Sequence, residues 1–114
     1  MLTMNLGFAL TTSPASELRH VDFVSLDPRR VLVIVVSTGG HITHKVVETA
    51  EEHDPAQLVQ AANYINQEFA GLSIDEARTA VARHLREERV LYDALLARAL
   101  QFAQSGLNEV SPEQ

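Results

Sequence analysis

The chain has 114 residues, 46% of them hydrophobic, which suits one small folded domain and excludes a chain that is intrinsically disordered as a whole. It contains no cysteine, so disulfides, thiolate catalysis and cysteine metal sites are all excluded. The formal net charge of −6 arises entirely in residues 51–114, and an acidic half of this kind argues against nucleic-acid binding by the chain alone.

The first half of the chain is predicted to form β-strands. Apolar and polar residues alternate in part over residues 18–26, where β-branched and aromatic side chains are frequent. Residues 30–37 form an almost continuous Val, Leu and Ile run, which is typical of a central strand covered on both faces. Residues 42–48 return as a third strand, and residues 5–10 are the candidate for a fourth. The sequence therefore predicts an antiparallel meander of three to four strands within about residues 5–50.

Two turns separate these strands. Asp27 and Pro28 favour the first, because proline fixes its own backbone angle and aspartate accepts hydrogen bonds from the amides that follow it. Gly39 and Gly40 favour the second, because glycine adopts positive φ without steric cost. The stretch from Ser37 to these glycines shares only its glycines with a phosphate-binding loop, since no helix and no lysine follow at the required spacing. A hairpin turn is therefore the better interpretation.

The second half is predicted to form helices, starting at Asp54 as N-cap and Pro55 as the first helical residue. The apolar residues that follow have helical spacing and define one buried face: Leu58, Ala61, Ala62, Ile65 and Phe69. Gly71 is predicted to end this helix in a left-handed conformation.

A second helical pattern begins at Ser73, which with Glu76 forms a predicted capping box. The pattern continues to about Gln104, roughly 46 Å if it is one helix at 1.5 Å per residue. The charged residues 86–89 interrupt the apolar surface and mark the place for a bend or break. The chain is thus predicted to have an α+β fold in which two or more helices follow the sheet, the last one long.

Residues 105–114 are rich in Gly, Asn, Ser and Pro, and this composition predicts a flexible tail. Gly106 would belong to that tail, whereas Gly71 would lie between two capped helices. Gly71→Val is therefore expected to destabilise the fold more than Gly106→Val.

Residues 91–102 are apolar around most of a helix circumference, and such a helix needs burial on more than one side. A three-stranded sheet covers only one side, so part of this segment is predicted to contact another chain or a further part of the same protein. The candidate interface residues are Leu91, Leu95, Leu96, Leu100 and Phe102. The alternative is a small fold that wraps this helix itself.

No group of residues predicts a catalytic, cofactor or metal site. His41 and His44 are three apart on a strand, where they point to opposite faces and cannot share one ion. Residues 51–54 (Glu-Glu-His-Asp) precede a capped helix, so interaction with the helix dipole explains them better than acid–base catalysis. Arg29 and Arg30 are predicted to be solvated turn charges rather than an anion site.

Two blocks of the sequence resemble one protein family. The first is Leu18-Arg-His-Val-Asp-Phe-Val-Ser-Leu26 followed by Arg30-Val-Leu-Val-Ile-Val-Val36. The second is residues 61–77, where the step from Asn63 to Asn66 precedes Ala-Gly-Leu and an acidic capping box. Both are similar to the regulatory region of the HrcA family of heat-inducible transcription repressors, and the resemblance covers about residues 18–89.

The resemblance implies a GAF-like domain with an inserted dimerising domain, placed after a winged-helix domain that reads an inverted-repeat operator. It also implies repression of the groE and dnaK chaperone operons, with the GroE chaperonin assisting the active state. The chain is expected to begin after the winged helix and to stop before the end of the regulatory region, so residues 1–114 would form a single domain or fragment.

We therefore expect a cytoplasmic, dimerising regulatory region that is not an enzyme, needs no cofactor and contacts neither DNA nor membrane by itself. Residues 1–10 show no secretory signal, and the longest apolar run is too short to span a bilayer. The alternative is a small-molecule effector-sensing GAF-like domain. Only 5% of the residues are aromatic, so the sequence shows no obvious apolar ligand cage.

Overall fold

The computed structural model describes residues 16–87 and 93–110. In this described part, three strands form one antiparallel sheet in the order β1-β2-β3: β1 is Leu18–Asp27, β2 is Arg30–Ser37 and β3 is His41–Glu48. The predicted α+β fold with a three-stranded meander is confirmed. The fourth strand predicted at residues 5–10 lies outside the described residues.

Local chemistry explains both strand reversals. At the first turn, the Asp27 carboxylate accepts hydrogen bonds from the Arg29 amide (3.0 Å) and from Arg30 Nε (2.7 Å). The Arg30 guanidinium, together with these hydrogen bonds, holds the pKa of Asp27 below its usual value. At the second turn, Gly39 and Gly40 have φ of 86° and 79°, which β-carbon-bearing residues rarely adopt.

Within the described residues, three helices follow the sheet: α1 is Pro55–Phe69, α2 is Ile74–Leu85 and α3 is Ala94–Leu107. The predicted start of α1 is confirmed, because the Asp54 carboxylate accepts from the Ala56 amide at 2.9 Å. The Ser73–Glu76 capping box is also present, with two hydrogen bonds of 3.0 Å.

The long helical pattern from Ser73 to about Gln104 is divided between α2 and α3. Helix α2 ends at Leu85, next to the charged stretch where the sequence allowed a break, and α3 begins after Asp93. The Asp93 carboxylate accepts from the Leu96 amide at 3.0 Å and so caps the new helix. The described parts of this stretch therefore belong to separate helices, and not to the single 46 Å helix that an unbroken pattern would give.

The core lies between the helices and one face of the sheet, here called the inner face. Alternate residues of β1 and β2 point into it and are fully or almost fully buried: Val21, Phe23, Val31, Val33 and Val35. Helices α1 and α3 pack on this face, and α2 packs against α3. The apolar run of β2 predicted cover on both faces of this strand, but the helices in the described part of the chain pack on the inner face only.

The prediction of a flexible tail over residues 105–114 is wrong for the first half of that range. Helix α3 continues to Leu107, and both Leu107 and Val110 are buried in the core. Gly106 lies so close to β2 that an added Cβ would be 2.6 Å from Val33 Cγ1. Glycine at this position permits close packing of the helix on the sheet, and it does not indicate flexibility. Residues 111–114 lie outside the described residues.

Candidate interaction surface

The five candidate interface residues have different positions in the fold. Leu100 and Phe102 are buried within the chain, and the Phe102 ring makes an edge-to-face contact with Phe23 at 5.3 Å between centroids. Leu95 and Leu96 are half-buried. Leu91 lies outside the described residues. The alternative in which the fold wraps its own helix therefore accounts for Leu100 and Phe102, which are not on the surface.

Leu95 and Leu96 line a groove of about 140 Å³ between α1 and α3. Its other lining residues are Gln60, Ala61, Tyr64, Asp93 and Ala99. The groove is mainly apolar, so it is the part of the predicted α3 surface that can still receive another protein segment.

A second cavity of about 290 Å³ lies between the end of β3 and α3. Across it, Arg98 Nη2 is 3.5 Å from Glu51 Oε1, and the Glu51 side chain is 80% exposed. An ion pair this open to solvent contributes at most about 1 kcal/mol. The cavity lining mixes polar residues such as Thr49 and Gln101 with apolar ones such as Val47 and Phe102. Its volume is at the lower limit of the size that holds a small ligand.

The residues weighed as possible chemical sites are dispersed. His41 and His44 are both exposed, and they pair in register with Ser37 and Ile34 on opposite faces of β2. Within residues 16–87 and 93–110 there is no group of three or more His, Cys, Asp or Glu that could hold a metal ion.

His53 differs from its acidic neighbours because it is buried. Its Nε2 lies 3.1 Å from Ser25 Oγ, and its backbone amide donates to the Pro28 carbonyl at 3.3 Å. Its Nδ1 is buried without a hydrogen-bond partner in the described part of the chain. These contacts hold the segment before α1 against the first hairpin. The charge pattern of residues 51–54 did not predict this structural role of His53.

The sheet face opposite the helices is apolar and open to solvent. We call it the outer face. Of the five large hydrophobic side chains that are exposed in the described residues, Val24, Ile42 and Val46 belong to it. The other two are Leu26, at the register shift near the end of β1, and Val59, on α1. Sequence analysis missed this surface, although the alternation in β3 and the unbroken apolar run of β2 were signals for it.

Cross-strand register arranges the outer face in three rows. One row is Val24–Leu32–Val46, the middle row is Asp22–Ile34–His44, and the last is His20–Val36–Ile42. In each row the central β2 residue is half-buried by its neighbours. The middle row therefore has an acid at one edge, an imidazole at the other and an apolar centre.

Comparison with known proteins assigns the chain to a family. Residues 1–114 match the family model described as the HrcA protein C terminal domain. The Heat-inducible transcription repressor HrcA of Geobacter sulfurreducens is 40% identical over 95 residues, which cover 83% of this chain and 28% of that protein. The protein of the same name from Xanthomonas axonopodis pv. citri is 38% identical over 89 residues, covering 78% of this chain and 25% of that protein.

The chain thus spans about a quarter of the length of the curated relatives that it matches. No solved structure matches it with significance. The family is one of transcription repressors, which is not an enzyme class. Within the described residues, none of the helices has the length and apolar content needed to cross a bilayer. The family model extends over every residue of the chain, and the chain therefore belongs to the HrcA family of heat-inducible transcription repressors, within its C-terminal domain.

Proposed function

We propose that this chain is a regulatory and dimerising region of a heat-inducible transcription repressor. The observation that carries the proposal is the family match over all 114 residues, together with relatives named as repressors of this kind. In the whole repressor, a separate module would read operator DNA and silence chaperone operons such as groE and dnaK, with assistance from the GroE chaperonin. Its place of action would be the cytoplasm.

The charge distribution supports protein contacts rather than DNA contacts for this region. Helix α1 has no Lys or Arg. In the other two helices, Arg78 bonds backbone carbonyls at the end of α3, Arg98 pairs with Glu51, and Arg83 is exposed. A recognition helix needs several free basic groups beside its base-reading residues, and these helices do not offer such a set.

Sedimentation over a concentration series, combined with a gel-shift assay, tests the proposal. We expect reversible self-association of the 114-residue chain and no selective binding to an inverted-repeat operator at physiological salt. A strictly monomeric folded chain at millimolar concentration would contradict the dimerising role. Submicromolar, sequence-selective DNA binding would contradict the assignment of DNA reading to another module.

The alternative function is sensing of a small effector, which the 290 Å³ cavity beside Arg98 favours. Thermal shift against a panel of small carboxylates and phosphates tests it, because a ligand at 100 times its Kd adds about 2.7 kcal/mol. We expect Arg98→Gln to remove any shift that such a ligand causes. A panel that leaves the melting temperature unchanged would eliminate this alternative.

A further inference from the structure

Helix α3 presents a row of polar side chains to the cavity of about 290 Å³ beside the end of β3. Arg98, Gln101 and Ser105 line the cavity, and their helical spacing places them along one face of α3. Among the described residues of the lining, Arg98 alone is positively charged. The chemistry of the cavity therefore depends on how the Arg98 guanidinium is already paired.

The Arg98 guanidinium has more hydrogen-bond donors than the described part of the chain satisfies. The side chain is 26% exposed, and its Nη2 contacts Glu51 Oε1 at 3.5 Å, the long limit for a hydrogen bond. Its Nε and Nη1 donors contact no acceptor within the described residues. A largely buried guanidinium with spare donors is suited to a planar anion that accepts two hydrogen bonds, such as a carboxylate.

The opposite wall of the cavity, residues 49–51, is held by hydrogen bonds that lie away from α3. The Thr49 amide donates to the Arg29 carbonyl at 2.8 Å, and Arg29 Nη1 donates to the Ala50 carbonyl at 3.1 Å. Thr49 Oγ1 donates to the Glu51 carbonyl at 2.7 Å. Because the backbone is fixed while the Glu51 side chain is 80% exposed, that carboxylate can move without a change in the wall. The site is therefore preformed, and its internal ion pair is easily displaced.

The charges of the lining narrow the class of ligand. Two carboxylates, Glu48 and Glu51, accompany the single guanidinium of Arg98. A dianion such as phosphate would be repelled by the two acids, whereas a zwitterion can place its carboxylate at the guanidinium and its ammonium group beside a glutamate. Val47 and Phe102 add apolar contact for a short aliphatic group. The small volume favours a compact ligand.

We propose that this cavity binds a free α-amino acid with a short aliphatic side chain. The ligand carboxylate accepts two hydrogen bonds from Arg98 and displaces the Glu51 carboxylate, which then accepts from the ligand ammonium group. The inference rests on the alternative function, effector sensing, and names the class of effector. It does not depend on whether the chain dimerises.

Isothermal titration calorimetry with matched compounds tests the class of ligand. L-leucine and L-valine carry both charged groups, isocaproate lacks the ammonium group of leucine, and L-leucinamide lacks its carboxylate. We expect saturable binding of leucine or valine, and binding roughly tenfold weaker or less for isocaproate, leucinamide and inorganic phosphate. Isocaproate or phosphate that binds as tightly as both amino acids would overturn the zwitterion class. Absence of binding by both amino acids up to about 10 mM would overturn the inference as a whole.

Arg98→Gln tests the location. The variant removes the partner of the ligand carboxylate and is expected to abolish amino-acid binding. Arg83→Gln, which removes the same charge from an exposed position on α2, is the matched control and should bind as the parent does. Circular dichroism checks that both variants keep the fold. Amino-acid binding that survives Arg98→Gln would overturn the assignment to this cavity.

Glu51→Gln tests whether Glu51 is a partner of the ligand or merely a competitor for Arg98. Loss of the carboxylate removes the partner of the ammonium group, so leucine should bind roughly tenfold more weakly. The same change frees the guanidinium, so isocaproate should bind more tightly than it does to the parent. Glu52→Gln, at the adjacent exposed residue, is the control and should change neither. Tighter binding of both compounds to Glu51→Gln would overturn the proposed contact with the ammonium group.

The same compounds separate failure of this inference from failure of effector sensing. If isocaproate or phosphate binds in an Arg98-dependent manner and both amino acids do not, effector sensing stands and the amino-acid class fails. If no compound binds, the amino-acid class and effector sensing by this cavity both fail. The dimerising role is measured separately by sedimentation and is unaffected by either result.

Discussion

Asn66 joins helix α1 to the backbone of β1 through one side-chain amide. Its Oδ1 accepts from the Val21 amide at 2.7 Å, and its Nδ2 donates to the Val21 carbonyl at 3.0 Å. The amide thus completes the hydrogen bonds that a further strand would otherwise supply. Asn66 is the last residue of the Asn-Tyr-Ile-Asn sequence on which the family resemblance rests. The sequence did not predict its role, because that role depends on the position of β1 in the folded chain.

Asn66→Asp tests this role. The carboxylate keeps the acceptor but loses the donor, so it faces the Val21 carbonyl with an unfavourable oxygen–oxygen contact. We expect the free energy of unfolding in urea to fall by about 1–3 kcal/mol. Asn63→Asp, on the exposed side of the same helix, is the control and should change it by less than about 0.5 kcal/mol. Equal effects of the two variants would show that the amide pairing is unimportant.

The structure reverses the order of destabilisation that the sequence predicted for valine substitutions at Gly71 and Gly106. Gly71 has φ +95° and open space around it, so Gly71→Val adds backbone strain only, on the order of 1–3 kcal/mol. At Gly106 an added Cβ would be 2.6 Å from Val33 and 2.8 Å from Val35, so valine would force α3 away from the sheet. We expect Gly106→Val to lower the melting temperature more than Gly71→Val; the reverse order would mean that α3 does not pack closely on β2.

At the level of elements, Arg78 explains why the chain remains ordered beyond α3. Its Nε and Nη2 donate to the Leu107 and Val110 carbonyls at 3.1 and 2.8 Å, and Asp75 holds the third nitrogen at 2.8 Å. A cation at a helix C-terminus satisfies free carbonyls and interacts favourably with the helix dipole. The sequence showed the turn-forming composition of residues 105–110, but it could not show that a side chain 29 residues earlier would anchor them.

Arg78→Lys is expected to loosen this end of α3, because a lysine cannot reproduce the two-carbonyl and carboxylate geometry. Hydrogen exchange at residues 107–110 should become faster, with a loss of about 1–2 kcal/mol in global stability. Arg83→Lys, on the exposed side of the same helix, should leave both quantities unchanged. Unaltered exchange in Arg78→Lys would show that the buried Leu107 and Val110 side chains suffice to hold the segment.

Strand and helix boundaries were predictable because local signals determine them. The second predicted strand coincides with β2, and the other two are within one residue of β1 and β3, since turn residues and alternation coincide there. Helices α1 and α2 begin at the predicted caps. For the break before α3, the charged residues predicted only that a bend or a break was possible. Tertiary packing decides whether a charged stretch bends a helix or ends it.

At the level of the whole molecule, the sequence could not tell burial inside the chain from burial between chains. Leu100 and Phe102 were grouped with Leu95 because all are apolar on one helix. Leu100 and Phe102 are buried within the chain, and Phe102 packs on Phe23 of β1, whereas Leu95 and Leu96 remain partly exposed. The outer face was missed for the complementary reason: an apolar strand looks the same whether one of its faces or both are covered.

Measurements of domain stability can distinguish apolar residues that are buried inside the chain from apolar residues that remain available for contact between chains. Phe102 packs on Phe23, and loss of such a ring costs about 3–5 kcal/mol before the further cost of burying a carboxylate. A small domain has only about 5–15 kcal/mol in total, so Phe102→Asp is expected to abolish the cooperative unfolding transition seen by circular dichroism. Leu95→Asp, at the half-buried rim of the groove, should keep that transition within a few degrees of the parent. If Phe102→Asp instead folds like the parent, Phe102 does not form part of the core, and α3 would again be the leading candidate for the interface.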